Sequence, residues 1–260
     1  PLDPWLATFS SQPDTLRFVR GKYDIDHDLV IPYGVALVLE RGTRWNIAPG
    51  VSVVVNGELH IRGTDLNPVF IRPQDETRPY GSIAVNGAGG TRCRIRGLRM
   101  SGGSGVWDDG VGYRGMLVFH NADVRMEHCQ IGASFGESMV SIKRGMVLLS
   151  DIRFTAAAHA FIDLAEARGS VEQCTFAEPT AGVSGADRGG LVLRASDVLV
   201  SGCTFNGLPF TAMWIGRGSE TLVTGSTFTG NDNAVRAADG STLDMDRCSF
   251  IGNKTVFTLR

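Results

Sequence analysis

Six residues of chemistry-bearing type stand at related points along the chain: His120, Lys143, Asp163, Arg194, Trp214 and Arg236. An imidazole, or a lysine amine of lowered pKa, takes up a proton at neutral pH, and a carboxylate orients that base or holds a hard cation. Guanidinium and ammonium groups pair with carboxylates, while an indole offers a flat apolar face to a pyranose ring. Together these types suit an acidic sugar polymer, because a lyase or epimerase must neutralise the uronate carboxylate and place a base beside it. His120, Lys143 and Asp163 are therefore the candidate catalytic residues, with His120 or Lys143 as base and Asp163 orienting it. Arg194, Trp214 and Arg236, joined by Trp107, Asp108, Asp109 and Tyr113 from a longer loop, are the candidate substrate-binding residues. The competing reading is a plain solvated face, on which a Lys143–Asp163–Arg194 run contributes little.

What must position these residues is a repeat. One phrase returns as Met126-Glu-His-Cys-Gln-Ile131, Leu149-Ser-Asp-Ile-Arg-Phe154, Val171-Glu-Gln-Cys-Thr-Phe176, Val200-Ser-Gly-Cys-Thr-Phe205, Val223-Thr-Gly-Ser-Thr-Phe228 and Met245-Asp-Arg-Cys-Ser-Phe250. Most copies lie roughly 22–23 residues apart, the period of a solenoid. Seven residues before most copies stands an alternating run such as Val140-Ser-Ile142 or Leu191-Val-Leu193, and alternation predicts strands. A period this short without a helix predicts one turn of a right-handed parallel β-helix, about ten coils in all, the hand following from parallel crossovers.

In that register Ile83/Val85, Leu117/Phe119, Val140/Ile142, Ile162/Leu164, Leu191/Leu193, Met213/Ile215 and Val235/Ala237 point inward. Two outward columns result: Ala84, Val118, Ser141, Asp163, Val192, Trp214, Arg236, and Asn86, His120, Lys143, Ala165, Arg194, Gly216. Cys129, Cys174, Cys203 and Cys248 share one inward slot, with Ile152 and Ser226 filling the gaps, and are expected to be small core residues without disulfides or zinc. Two longer loops, Ser101 to Gly115 and Ala177 to Gly190 (with Glu178, Asp187 and Arg188), are predicted to leave one corner and wall the candidate face. Asp3-Pro4 before Trp5 and Phe9 predicts a short capping helix or linker over residues 1–15, with the β-helix over 16–260.

Residues 28–105, carrying LVIPYG, the paired Gly42-Thr43 and Gly63-Thr64 turns, VSVVVNGELHIRGTDLNPVFIRP and YGSIAVNGAGG, resemble the β-helix segment attached to CotH-type kinase-like bacterial proteins. The resemblance implies a β-helix fold, a periplasmic or cell-surface setting and a catalytic neighbour domain; it implies no catalytic residue within this chain. Tyr80-Gly81 stands where that family has Trp-Gly.

Other motifs carry less. Asp108-Asp109 has the form of a paired-carboxylate site for glycoside hydrolysis, yet of the polygalacturonase motifs only Ser141-Ile142-Lys143 is present. His159, Glu137 and Asp232 read as turn residues, as do Asn231-Asp-Asn233. No cofactor motif is found, and a divalent cation such as calcium is not indicated.

Composition bounds the partners. The 260 residues are 43% hydrophobic with 33 glycines and a net charge of −2, which gives no electrostatic ground for nucleic acid. The three lysines, Lys22, Lys143 and Lys254, are scattered, and no run is long enough to span a bilayer. The expected partner is a polysaccharide or a neighbouring protein domain. The chief rival is a non-catalytic scaffold, attached to another domain or assembled end to end through the last coil.

Overall fold

The computed structural model describes residues 14–108, 111–177 and 189–259; of Trp107, Asp108 and Val111 it describes the backbone alone. The expected N-terminal helix and the Glu178, Asp187 and Arg188 loop lie outside these residues, and so does Asp109. The first described strand, Thr15–Phe18, begins one residue before the expected boundary.

Alternation decides the local structure. Leu29–Ile31 is buried, exposed, buried in turn, and the 20-residue strand Gly115–Ser134 alternates through most of its length. Among the described residues there is no helix, and the named strands pair in parallel apart from one antiparallel hairpin. Each strand bonds to its equivalent one coil away, which makes an all-β parallel solenoid of about ten turns.

Three ladders enclose the core. The first runs from Leu29–Ile31 through Val53–Val55, Gly189–Arg194 and Thr211–Gly216 to Thr255–Leu259. A second runs from Thr15–Phe18 through Ala36–Glu40 and Asp197–Ser201 to Thr242–Asp246. The third runs from Gly21–Ile25 through Thr43–Ile47 and Thr204–Asn206 to Ser249–Ile251.

The final position of the repeated phrase builds the spine of the core. Phe154, Phe176, Phe205, Phe228 and Phe250 stack with ring centroids 5.2, 4.6, 4.8 and 5.1 Å apart and planes within 11° of parallel. These spacings are the strand separation itself, so one register satisfies both the backbone hydrogen bonds and the ring contacts.

Beside this column the cysteine slot holds Cys129 opposite Ile152, with Ser226 hydrogen-bonded to the Cys203 amide. Cys129, Cys174 and Cys203 are buried, whereas Cys248 is only partly so. All five cysteines are free. Burial pushes the Cys129 and Cys93 thiols up to about 12, and the hydrogen bond with Cys203 together with burial pushes Cys174 up as well. Cys93 sits outside the column, paired with Val124 on the second ladder.

Corners are made by single left-handed residues. Asn121, Arg144, Glu166, Ala195, Arg217 and Asp239 turn the chain from the first ladder to the second with φ between 47° and 58°. A left-handed L-residue costs about 1–2 kcal/mol, a strain that stacking outweighs because every coil repeats the same bend.

Phe205 has a ring neighbour on both sides, so Phe205→Ala should destabilise the chain by about 3–5 kcal/mol in urea unfolding. Gln173 is an exposed corner residue at φ 52°; Gln173→Gly should instead stabilise by about 0.5–1 kcal/mol, the relieved strain less the entropy of glycine.

Candidate functional site

Register on the first ladder places the candidate residues in two adjoining columns. Val118, Ser141, Asp163, Val192, Trp214 and Arg236 follow one another in the first. Asn86, His120, Lys143, Ala165, Arg194 and Gly216 follow one another in the second. The face therefore brings together His120, Lys143, Asp163, Arg194, Trp214 and Arg236 over successive coils.

One end of the face is closed by a hairpin. Val106–Asp108 pairs antiparallel with Val111–Tyr113, and Tyr113 packs over the outward residues Val54, Ala84 and Val118 as a second small apolar cluster. Tyr113 is only 3% exposed, so it cannot offer its ring to a sugar as expected. It serves as wall and support: its hydroxyl accepts from Asn86 Nδ2 at 2.7 Å, and its ring lies 5.5 Å from that of His120. An apolar column facing outward (Val54, Ala84, Val118) was the signal in the sequence that something covers this end of the sheet.

Half-burial lowers the His120 pKa, and the positive charges of Lys143 and Arg144 lower it further. The ring is thus a neutral imidazole at pH 7, able to accept a proton. Lys143 occupies the register position next to it and has no ion-pair partner among the described residues.

Asp163 and Arg194 form an ion pair, with their side chains 28% and 33% exposed. Burial raises the Asp163 pKa and the Arg194 charge works against that rise. The Arg194 guanidinium also lies over the Trp214 ring, 5.5 Å from its centroid. Arg194 is therefore already engaged twice, and Asp163 is committed to Arg194 rather than to His120. Trp214 keeps part of its surface open, and Arg236 follows it one coil on.

Of the other candidates, Trp107 and Asp108 lie in the hairpin by backbone position. Glu137 pairs with Arg114 across 3.4 Å and Asp232 with Lys254 across 2.6 Å, both at corners. Asn231 is fully buried and joins Asn253 and the Phe205 carbonyl, which makes it a core hydrogen-bonding position.

A second feature escaped a reading that counted only the overall charge. On the second ladder an open groove of about 780 Å³ is lined by His60, Arg62, Arg94, Arg96, Arg125 and Glu127, among others. The signal was the alternation Arg92-x-Arg94-x-Arg96, which in a strand aims three guanidinium groups the same way.

A family model described as "Right handed beta helix region" matches residues 160–258, and the chain is a right-handed β-helix. The matched stretch lies C-terminal to residues 28–105 and gives no support to the CotH-type attachment expected from them. No curated protein matches the sequence. Three solved structures are similar in outline. The Dettilon tailspike protein (gp208) is 13% identical at a TM-score of 0.41, over 91% of this chain and 54% of that one. The mannuronan C-5 epimerase AlgE4 A-module of Azotobacter vinelandii is 14% identical at 0.39, over 95% and 89%. An alginate lyase from Paenibacillus sp. str. FPU-7 is 12% identical at 0.33, over 82% and 91%. The chain thus spans about half the length of the tailspike chain. Likenesses of this size say nothing of substrate or site.

The environment of His120 has a measurable consequence. Its folded pKa lies below the ordinary value, so the unfolded chain binds the extra proton first and stability falls as pH drops through the ordinary histidine value toward the folded one. In a ring-proton NMR titration, Lys143→Gln should move the His120 midpoint upward, and wild type should titrate below pH 6.5.

Proposed function

We propose that this chain binds an acidic polysaccharide along the first ladder, lengthwise to the solenoid, and that His120 and Lys143 form the centre at which such a polymer could be modified. One observation supports the reading above the rest: a neutral imidazole beside an ammonium with no ion-pair partner among the described residues, and three coils further on a guanidinium-covered indole on the same face. Coils repeat every ~4.8 Å, close to the length of one pyranose, so a polymer lying along the axis meets equivalent positions with successive sugars.

The roles follow from the chemistry of each group. Lys143 meets a uronate carboxylate, and the charge it neutralises makes the neighbouring C–H more acidic. His120, held neutral and braced by Tyr113, accepts that proton. Trp214 offers the open part of its ring to an apolar sugar face, while Asp163 holds Arg194 in place over the indole. Asp163 acts here as a positioning residue. A polymer without carboxylates gains nothing from Lys143, so polyuronates are preferred over neutral glucans.

Titration calorimetry with polymannuronate, polygalacturonate and a neutral glucan tests this. Lys143→Ala should weaken polyuronate binding by about tenfold, near 1.4 kcal/mol, and Trp214→Ala should weaken it comparably. Where unsaturated or epimerised product forms, His120→Ala should abolish product while leaving affinity within about twofold. Equal affinity for the neutral glucan, or full polyuronate affinity in Lys143→Ala, would refute the assignment.

A further inference from the structure

Seven coils of the second ladder, from Arg94 to Asp244, carry opposite charges on their two outermost strands. Their central outward column reads Arg94, Arg125, Leu148, Ser170, Leu199, Leu222 and Asp244 from one coil to the next. Across these seven coils one side is basic and the other acidic: Arg92, Arg94 and Arg96 share the strand next to Leu59–Arg62, and Asp244 and Asp246 share the last strand of the ladder. Between them Leu148, Met146 and Leu222 are 46%, 50% and 45% exposed. Arg94 and Asp244 are exposed, and neither has an ion-pair partner among the described residues.

We infer that this face docks against the same face of a second copy of the chain, in an antiparallel dimer whose two-fold axis passes beside Ser170 and runs along the strands. Arg94 and Asp244 each stand three coils from Ser170, on opposite sides. Reversal therefore sets Arg94 of one copy on Asp244 of the other, Arg96 on Asp246, and Leu148 on Leu199. The axis strand sets Arg168 on Arg168 and Glu172 on Glu172, two like-charge contacts that weaken the dimer. A parallel pairing is worse, because it sets Arg94, Arg125 and Asp244 each on its own copy, and like charges facing each other are repelled. A soluble polyanion would account for the basic coils alone; it leaves the apolar centre and the acidic coils without a partner. Exposed apolar side chains between opposite charges are the mark of an interface.

Magnitude sets the strength. Seven coils at ~4.8 Å and five residues at ~3.3 Å cover a plane of roughly 550 Å² per copy, short of the ~800 Å² of a standard interface. The dimer is accordingly weak, in the micromolar range, and dependent on salt, since screening shortens from about 10 Å at 0.1 M to about 3 Å at 1 M.

Sedimentation of the chain across a concentration series at low and high salt is the test. Dimer should form at low salt and weaken at least tenfold at 1 M. Arg94→Glu alone and Asp244→Arg alone should each raise the dissociation constant at least tenfold, and the double variant carrying both should restore it, because the reversed pair re-forms across the axis. Reversal also brings Asp123 opposite Glu220, so Glu220→Gln should tighten the dimer. All these side chains lie on the surface, and circular dichroism checks that each variant keeps its fold. A chain monomeric at every concentration, or a double variant no better than the single ones, overturns the proposal. So does a monomer that captures heparin through Arg94, which would make the basic coils a polyanion site.

Discussion

Every side chain of a parallel solenoid lies one strand spacing from its equivalent in the next coil, and that distance constrains all else in this protein. In the core it rewards sameness. Five phenylalanines stack at 4.6 to 5.2 Å, each pair contributing about 0.5–1.5 kcal/mol beyond its burial, and the ladder resists the twist that open sheets develop. The left-handed corners follow from the same constraint. Once the rings and strands are in register, each corner has one residue in which to bend, and arginine, glutamate and glutamine accept that conformation alongside glycine.

On the outer walls the same spacing acts in the opposite sense. Identical charges one coil apart repel, so a charged column needs apolar, neutral or oppositely charged neighbours. The first ladder meets this with a histidine kept neutral beside Lys143 and a guanidinium tied to Asp163. The second ladder meets it by interleaving Glu127 among arginines, with contacts of 3.2 Å to Arg125 and 3.6 Å to Arg96. Arg92 and Arg94 fall outside that compensation among the described residues, while Asp244 and Asp246 stand on the ladder's last strand, six coils away. A net charge of −2 conceals this separation, because the sum says nothing about where along the axis each sign resides.

The hairpin at Val106–Tyr113 shows how a solenoid acquires an end to its groove. It covers three outward apolar residues and sets an aromatic ring beside the histidine. Without that cover Val54, Ala84 and Val118 would be a bare patch on a polar face. With it, the face begins at a wall and, among the described residues, runs open toward Trp214 and Arg236.

Period and alternation are local properties, and they were enough to determine the strands, the inward and outward positions, the phenylalanine spine and the two columns of the candidate face. Strand register is set by the pleat, and the pleat can be counted along the chain. What tertiary structure alone decided concerns pairs of residues on different coils or on segments outside the repeat. It turned Tyr113 from an open platform into a buried support, gave Asp163 to Arg194 instead of His120, placed Arg194 over Trp214, and brought Arg62, Arg94, Arg96 and Arg125 from three coils to one groove. Each of these depends on side-chain reach and on how a non-repeating loop folds back, and spacing along the sequence carries no measure of either.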